Sequence, residues 1–254
     1  MKAVYTIACN TFKETIRNKI LYNILLVAGV ALILSVSFGD LSVFSRAQVM
    51  TDFGLATMSL TGLLLAVFIG VGMLGVEIST KTIYGVITKP VTREAFILGK
   101  FFGLLATLLL NFVLIALVFF ITIHTLGVPQ NASVFNAVLL LMVEMVVIVA
   151  AAILFSSFTT PTLAAVFTIG FYIAGHLNDL VNIGAQQQQS IIWSTVLKVL
   201  FYIVPNLENF NIRTAVVYNL PIPAGFIAGA VLYGILYAAI LLVLSIVLFS
   251  RKDL

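Results

Sequence analysis

Residues 77–100 read EISTKTIYGVITKPVTREAFILGK, and this is the one well-charged interior segment set between two long apolar runs. On one side, 53–76 carries no charged residue, and on the other, 101–123 carries none. Each run is long enough to cross a bilayer as a helix, which takes about 20 apolar residues. The segment itself holds Lys81, Lys89 and Arg93 among Thr82, Thr88, Pro90 and Thr92, a composition suited to water and to the surface of a partner. Two spans joined by a basic hydrophilic loop are therefore the unit from which the chain is built. That loop is either a handle for a soluble partner or a solvated marker of topology.

Composition says the same of the whole chain. Of 254 residues, 62% are hydrophobic and 9% charged, with mean hydropathy +1.20, whereas soluble domains carry about 25% charged residues. This is an integral membrane protein, too poor in polar residues to include a soluble domain of useful size. One transmembrane domain over 1–254 is expected. The net charge of +4 marks topology rather than nucleic-acid binding. Cys9 is the one cysteine, so there is no intrachain disulfide, and His124 and His176 have no metal-ligand spacing.

The all-α fold expected from the apolar runs has six transmembrane helices. Residues 1–19 place Val4, Ile7, Ala8, Thr11, Phe12, Thr15 and Ile16 opposite Lys2, Lys13, Arg17 and Lys19, the pattern of an interfacial amphipathic helix. The first span, 20–38, lacks a cleavage signal and reads as an anchor that stays. Spans at about 53–76, 96–123, 138–158, 162–183 and 222–249 follow, with a cytoplasmic loop at 79–95 and an external segment at 178–221. Within that segment, 191–204 is too short to span and carries Lys198, so it reads as an interfacial or re-entrant helix on the external face. With both termini cytoplasmic, ten of the thirteen Lys and Arg lie inside and only Arg46, Lys198 and Arg213 lie outside, as the positive-inside rule requires.

Two motifs mislead. Gly70, Gly72 and Gly75 spell GxGxxG, but they close an apolar run instead of following a short strand, so they are helix-packing positions, as Gly225 and Gly229 are expected to be. Gly99-Lys100 lacks the rest of a phosphate loop, so ATP binding would belong to another polypeptide. No nucleophile-base pair, paired aspartates or HExxH supports intramembrane hydrolysis. Glu144 is the intramembrane residue that most asks for a role, since a central charge costs about 2.5 to 3.5 kcal/mol on insertion scales. It either bonds as a neutral group between helices or lines a translocation path, toward the external end of its span. His176, Asn178 and Asp179 close the fifth span on one helical turn, as a polar external mouth or as a proton or ligand site.

Glu77, Lys81-Thr82-Ile83, Lys89-Pro90-Val91-Thr92-Arg93 and Phe96-Ile97-Leu98-Gly99-Lys100 together resemble the central loop of the membrane subunit of type 2 ATP-binding-cassette (ABC) exporters. The branch associated with maturation of multicopper enzymes is the most similar. The basic amphipathic start and Pro205-Asn206-Leu207-Glu208-Asn209-Phe210-Asn211 resemble that branch too, and Lys81, where many members have Gly, points the same way. The resemblance implies a half-transporter that pairs with a second permease, identical or different, in the cytoplasmic (inner) membrane. It implies no cofactor in this chain, with ATP and Mg on a cytosolic ABC ATPase. It also implies that Glu77, Lys81, Thr82, Lys89, Pro90 and Arg93 couple to that ATPase, so that replacing Thr82 and Arg93 together abolishes coupling. Glu144, His176 and Asp179 are the candidate path residues. The alternatives are an ATP-independent secondary transporter and a membrane scaffold.

Overall fold

The computed structural model describes residues 2–40, 46–79, 92–128, 131–178 and 204–250, the side chains of 72–79 excepted. Every regular element among them is helical: α1 (Lys2–Ile16), α2 (Lys19–Asp40), α3 (Arg46–Ser79), α4 (Arg93–Thr125), α5 (Ala132–Phe158), α6 (Pro161–His176), a 3-10 turn η1 (Leu207–Phe210), α7 (Arg213–Val217) and α8 (Phe226–Ser250). Five of them, α2, α3, α4, α5 and α8, are long and apolar enough to cross a membrane. The sixth expected span is α6, an apolar helix of 16 residues. At 1.5 Å per residue it reaches about 24 Å, short of the roughly 30 Å hydrocarbon core.

α5 is the axis. Its residues from Val147 to Ile153 are all fully buried, which requires helices on every side. Small residues let those neighbours close in. A β-carbon on Gly62 would stand 2.8 Å from Met145 Sδ, and one on Gly70 would stand 2.6 Å from the β-carbon of Ala152, so α3 lies against α5 almost backbone to backbone. The packing role expected for the GxGxxG stretch holds at Gly70. It fails at Gly225 and Gly229, where nothing lies within 4 Å. Gly225 instead has φ 84°, a conformation glycine reaches without strain, and its carbonyl accepts from the N–H of Gly229 in the first turn of α8. The glycine of α8 that does pack is Gly234, whose β-position meets Val143 at 2.5 Å and the Phe210 ring at 3.0 Å.

Peripheral α2 and α8 bury one stripe each. Leu21, Ala28, Leu32 and Ser35 face inward on α2, and Leu26, Val30 and Ile33 face outward. On α8, Ala230, Ala238 and Leu241 are buried while Leu236, Ile240 and Val247 are exposed. A large apolar surface of this kind is what a bilayer accepts.

Polar links fix which helix ends lie together. Arg93 Nη1 donates to the carbonyls of Ser250 at 2.8 Å and Phe249 at 3.3 Å, joining the start of α4 to the end of α8. At the opposite end, Arg213 pairs with Asp52 at 2.8 Å and Asn131 Nδ2 donates to Asn219 at 3.1 Å. Asn178 Nδ2 donates to the Val204 carbonyl at 2.9 Å. Asn178 and Val204 are therefore neighbours; the interfacial or re-entrant helix expected over 191–204 lies, apart from Val204, outside the described residues.

Candidate functional site

Glu144 sits on α5 twelve residues after Ala132 and fourteen before Phe158, so it is midway along the helix rather than toward the external end. The span expected from the apolar run starts at 138, six residues into the helix. The side chain is completely buried, which excludes a lipid-facing position and demands a partner.

That partner is His176, the last residue of α6. The C-terminus of α6 lies at the depth of Glu144, and among the described residues the segment 205–211 packs against it. Leu207 and Phe210 are buried, and Gly175 admits the segment: a β-carbon there would stand 2.5 Å from Leu207 Cγ and 3.1 Å from the Pro205 carbonyl. The turn is held by its own side chains, since Asn206 Oδ1 accepts from the N–H of Glu208 at 3.0 Å and Tyr233 accepts from the N–H of Asn206 at 3.0 Å. Non-helical backbone at this depth is tolerated where protein covers it. Leu207 and Phe210, within the segment expected to be external, are thus packed into the bundle.

The result is a chain of acid, imidazole and acid. His176 Nε2 lies 2.8 Å from Glu144 Oε1, and Nδ1 lies 3.0 Å from Glu208 Oε2. Glu208 Oε1 also accepts from Asn211 Nδ2 at 2.9 Å. The edge of the His176 ring meets Tyr172, centroids 4.5 Å apart, and the Tyr172 hydroxyl bonds Ser59 of α3 at 3.0 Å. Carboxylates only accept, and a neutral imidazole donates from one nitrogen. Both contacts are hydrogen bonds only if the trio holds at least one proton beyond a neutral ring and two carboxylates.

A cavity of about 150 Å³ opens beside the trio, lined among others by Ser59, Glu144, Tyr172, His176, Phe210 and Arg213. It has room for several waters. Glu144 Oε2 is buried and has no hydrogen-bond partner among the described residues. Arg213, which also lines the cavity, is matched by Asp52.

Of the residues expected in a path, Glu144 and His176 are brought together, and Asp179 lies outside the described residues. Glu208, Tyr172 and Ser59 went unrecognised. A signal for Glu208 did exist: Leu207 and Phe210, three apart in a polar stretch, are the type of pair a buried turn needs.

The other candidate site is the end of the bundle that carries the central loop. Lys81, Thr82, Lys89, Pro90 and the side chain of Glu77 lie outside the described residues, but the flanking helices do not. At 34 and 33 residues, α3 and α4 are each about 50 Å long, well beyond the hydrocarbon thickness. Thr92 caps α4, its hydroxyl accepting from the N–H of Ala95 at 3.3 Å. Against this first part of α4 lies α1, where β-carbons on Gly99 and Gly103 would stand 2.7 Å from the Ile7 β-carbon and 2.6 Å from the Ala8 carbonyl. Thr11 and Thr15 are buried while Lys2, Lys13 and Arg17 are exposed, as the amphipathic reading expects. Phe96 stacks on Phe249 with centroids 5.9 Å apart, and Lys100 Nζ lies 5.9 Å from the centroid of Phe96. Arg93, expected in the coupling set, thus has a structural task at the C-terminus of α8, where a cation meets both orphan carbonyls and the negative end of the helix dipole.

No curated protein matches the chain significantly. A family model does, that of the ABC-2 family transporter proteins, over residues 5–254. An all-helical bundle with five long apolar helices and a shorter sixth, matched from the amphipathic start to the final residue, leaves one assignment: this chain belongs to the ABC-2 transporter family.

Proposed function

We propose that the protein is the permease subunit of an ABC exporter, driven by ATP hydrolysis on a separate cytosolic ATPase and working as a pair of permease subunits in the cytoplasmic membrane. The family match over nearly the whole chain is the observation that carries this reading. The geometry of the loop end supports it. The two helices that flank the loop, α3 and α4, are longer than the bilayer is thick, and α1, braced on Gly99 and Gly103, gives the base of α4 a lateral support. A push on the loop is then passed along α4, one uninterrupted helix from Arg93 to Thr125. Lys81, Thr82, Lys89 and Pro90 are the docking residues in this account. The loop's resemblance to the multicopper-maturation branch makes that the favoured subgroup.

The experiment is co-purification from mild detergent. Tagged wild type is expected to bring down an ATPase with Walker motifs, and a Thr82→Ala/Lys89→Ala variant is expected to lose it while still inserting in the membrane. Lys89 replaces Arg93 in this pair because loss of Arg93 also releases the end of α8. Equal recovery of the ATPase by the variant would reduce the loop to a topology marker.

One observation favours a second reading, ion-coupled transport without ATP: an ionisable pair, Glu144 and His176, lies midway in the bundle beside a short helix, as secondary transporters arrange their sites. Transport that persists after ATP is exhausted but collapses with the ion gradient would favour it.

A further inference from the structure

α1 ends at Ile16 and α2 begins at Lys19, so Arg17, Asn18 and Lys19 form the elbow between them. Asn18 fixes the bend: its N–H donates to the Thr15 carbonyl at 3.0 Å, and its Oδ1 accepts from the N–H of Ile20 at 3.0 Å. Arg17 and Lys19 thus stand on either side of one residue, and Lys13 lies one helical turn before Arg17. All three are exposed, and none takes part in the ion pairs found among the described residues. From Lys13 to Lys19 there are three cations and one acid, Glu14, a net charge of +2.

α2 carries this surface into the bilayer. At about 100° per residue, Tyr22, Leu26, Val30 and Ile33 lie within about 60° of Lys19 around the helix, and all four are exposed. Leu21, Ala28 and Leu32, on the other side, are buried. One leaflet's hydrocarbon is about 15 Å deep, or about ten residues of helix, which is the run from Ile20 to Val30. Lys19 then stands at headgroup level, and Tyr22 in the interfacial belt where aromatic rings settle.

We infer that the elbow is a binding site for an anionic phospholipid, with Lys13, Arg17 and Lys19 on the phosphate and an acyl chain along Leu26 and Val30. Charge selects the headgroup: a phosphodiester without an ammonium meets unpaired cations, whereas the ammonium of a zwitterionic headgroup would meet charges of its own sign. The apolar stripe that continues from Lys19 selects a lipid over a free phosphate. A second copy of this chain is the poorer occupant, because two-fold packing on this stripe sets both elbows at one depth, cation toward cation. The inference requires only that the bundle sits in a bilayer and is independent of the permease proposal.

The test is native mass spectrometry of the purified full chain in detergent, titrated with phosphatidylglycerol or with phosphatidylcholine of the same acyl chains. Glycerol phosphate serves as the soluble counterpart of the headgroup. A basic residue near an anionic lipid surface contributes about a fivefold gain in binding. The first phosphatidylglycerol is therefore expected to bind more tightly than phosphatidylcholine by about tenfold or more, and Arg17→Gln/Lys19→Gln to lose that advantage. Glycerol phosphate is expected not to bind. Should the double variant fail to insert, Lys13→Gln, one exposed side chain ahead of the span, is expected to weaken phosphatidylglycerol about fivefold. Equal binding of the two lipids by wild type would overturn the inference, as would undiminished binding by the double variant, or by Lys13→Gln where that variant stands in for it. Glycerol phosphate binding as tightly as the lipid would assign the elbow to a free anion and overturn it too. So would a double variant that keeps its lipid but loses a second copy of the chain or a co-purifying ATPase, since the surface would then belong to that partner. A lipid preference that survives in a chain bringing down no ATPase would leave this inference standing and count against the permease reading alone.

Discussion

Glu144 has to be paired, protonated or wetted at its depth, and the fold supplies pairing through a histidine from another helix. Removing that histidine leaves a fully buried carboxyl with neither of its oxygens bonded among the described residues. His176→Ala is therefore expected to destabilise the protein by about 3 kcal/mol. Glu144→Gln keeps a hydrogen bond to the ring and removes the charge, at a cost of about 1 kcal/mol. Denaturation in mild detergent compares the two, and equal losses would contradict the pairing. Glu144 was legible in the sequence because a lone acid in an apolar run stands out, and His176 because it ends a span. Their contact was not, since residues 32 positions apart meet only through the packing of α5 on α6. Glu208 was less legible still: its polar neighbours read as surface, and only Leu207 and Phe210, three apart, hint that the turn is buried.

At the scale of elements, the apolar runs and their charged separators gave the helices nearly as found, because a chain in lipid has few alternatives to the helix. The ends were harder. α3 and α4 continue well past the apolar runs that announced them, since helical hydrogen bonding does not stop where hydrophobicity does. Glycines carried a mixed message: a small residue says that a close approach is possible, while the partner helix decides whether it happens. The structure thus separates two glycines of α8 that look alike in sequence. Gly234→Val is expected to cost about 1 to 3 kcal/mol through collision with Val143 and Phe210. Gly229→Ala, with open space around it, is expected to be neutral or to gain up to about 1 kcal/mol from helix propensity. Thermal unfolding of the two variants in one detergent measures the difference. On α4, Gly103→Leu should displace α1, because its side chain would meet the Ala8 carbonyl. Faster proteolysis within 1–19 would report that displacement, and an unchanged digest would count against α1 as a fixed brace.

Links such as Arg93–Ser250 at one end of the bundle and Asp52–Arg213 and Asn131–Asn219 at the other group the helix termini they join. In a Cys9→Ser background, Gln48→Cys and Asn219→Cys are expected to react with a membrane-impermeant thiol reagent from one side, and Lys13→Cys from the other. Labelling of all three from a single side would undo the topology. Assignment of a partner goes beyond the bundle and rests on the family to which the chain belongs. The most direct measurement is native mass spectrometry of the complex extracted from its own membrane with a mild detergent. The account predicts two permease subunits, both this chain or this chain with a second permease, bound to two copies of a Walker-type ATPase. An intact assembly of this chain with no nucleotide-binding subunit, under conditions that keep the permease pair together, would contradict it.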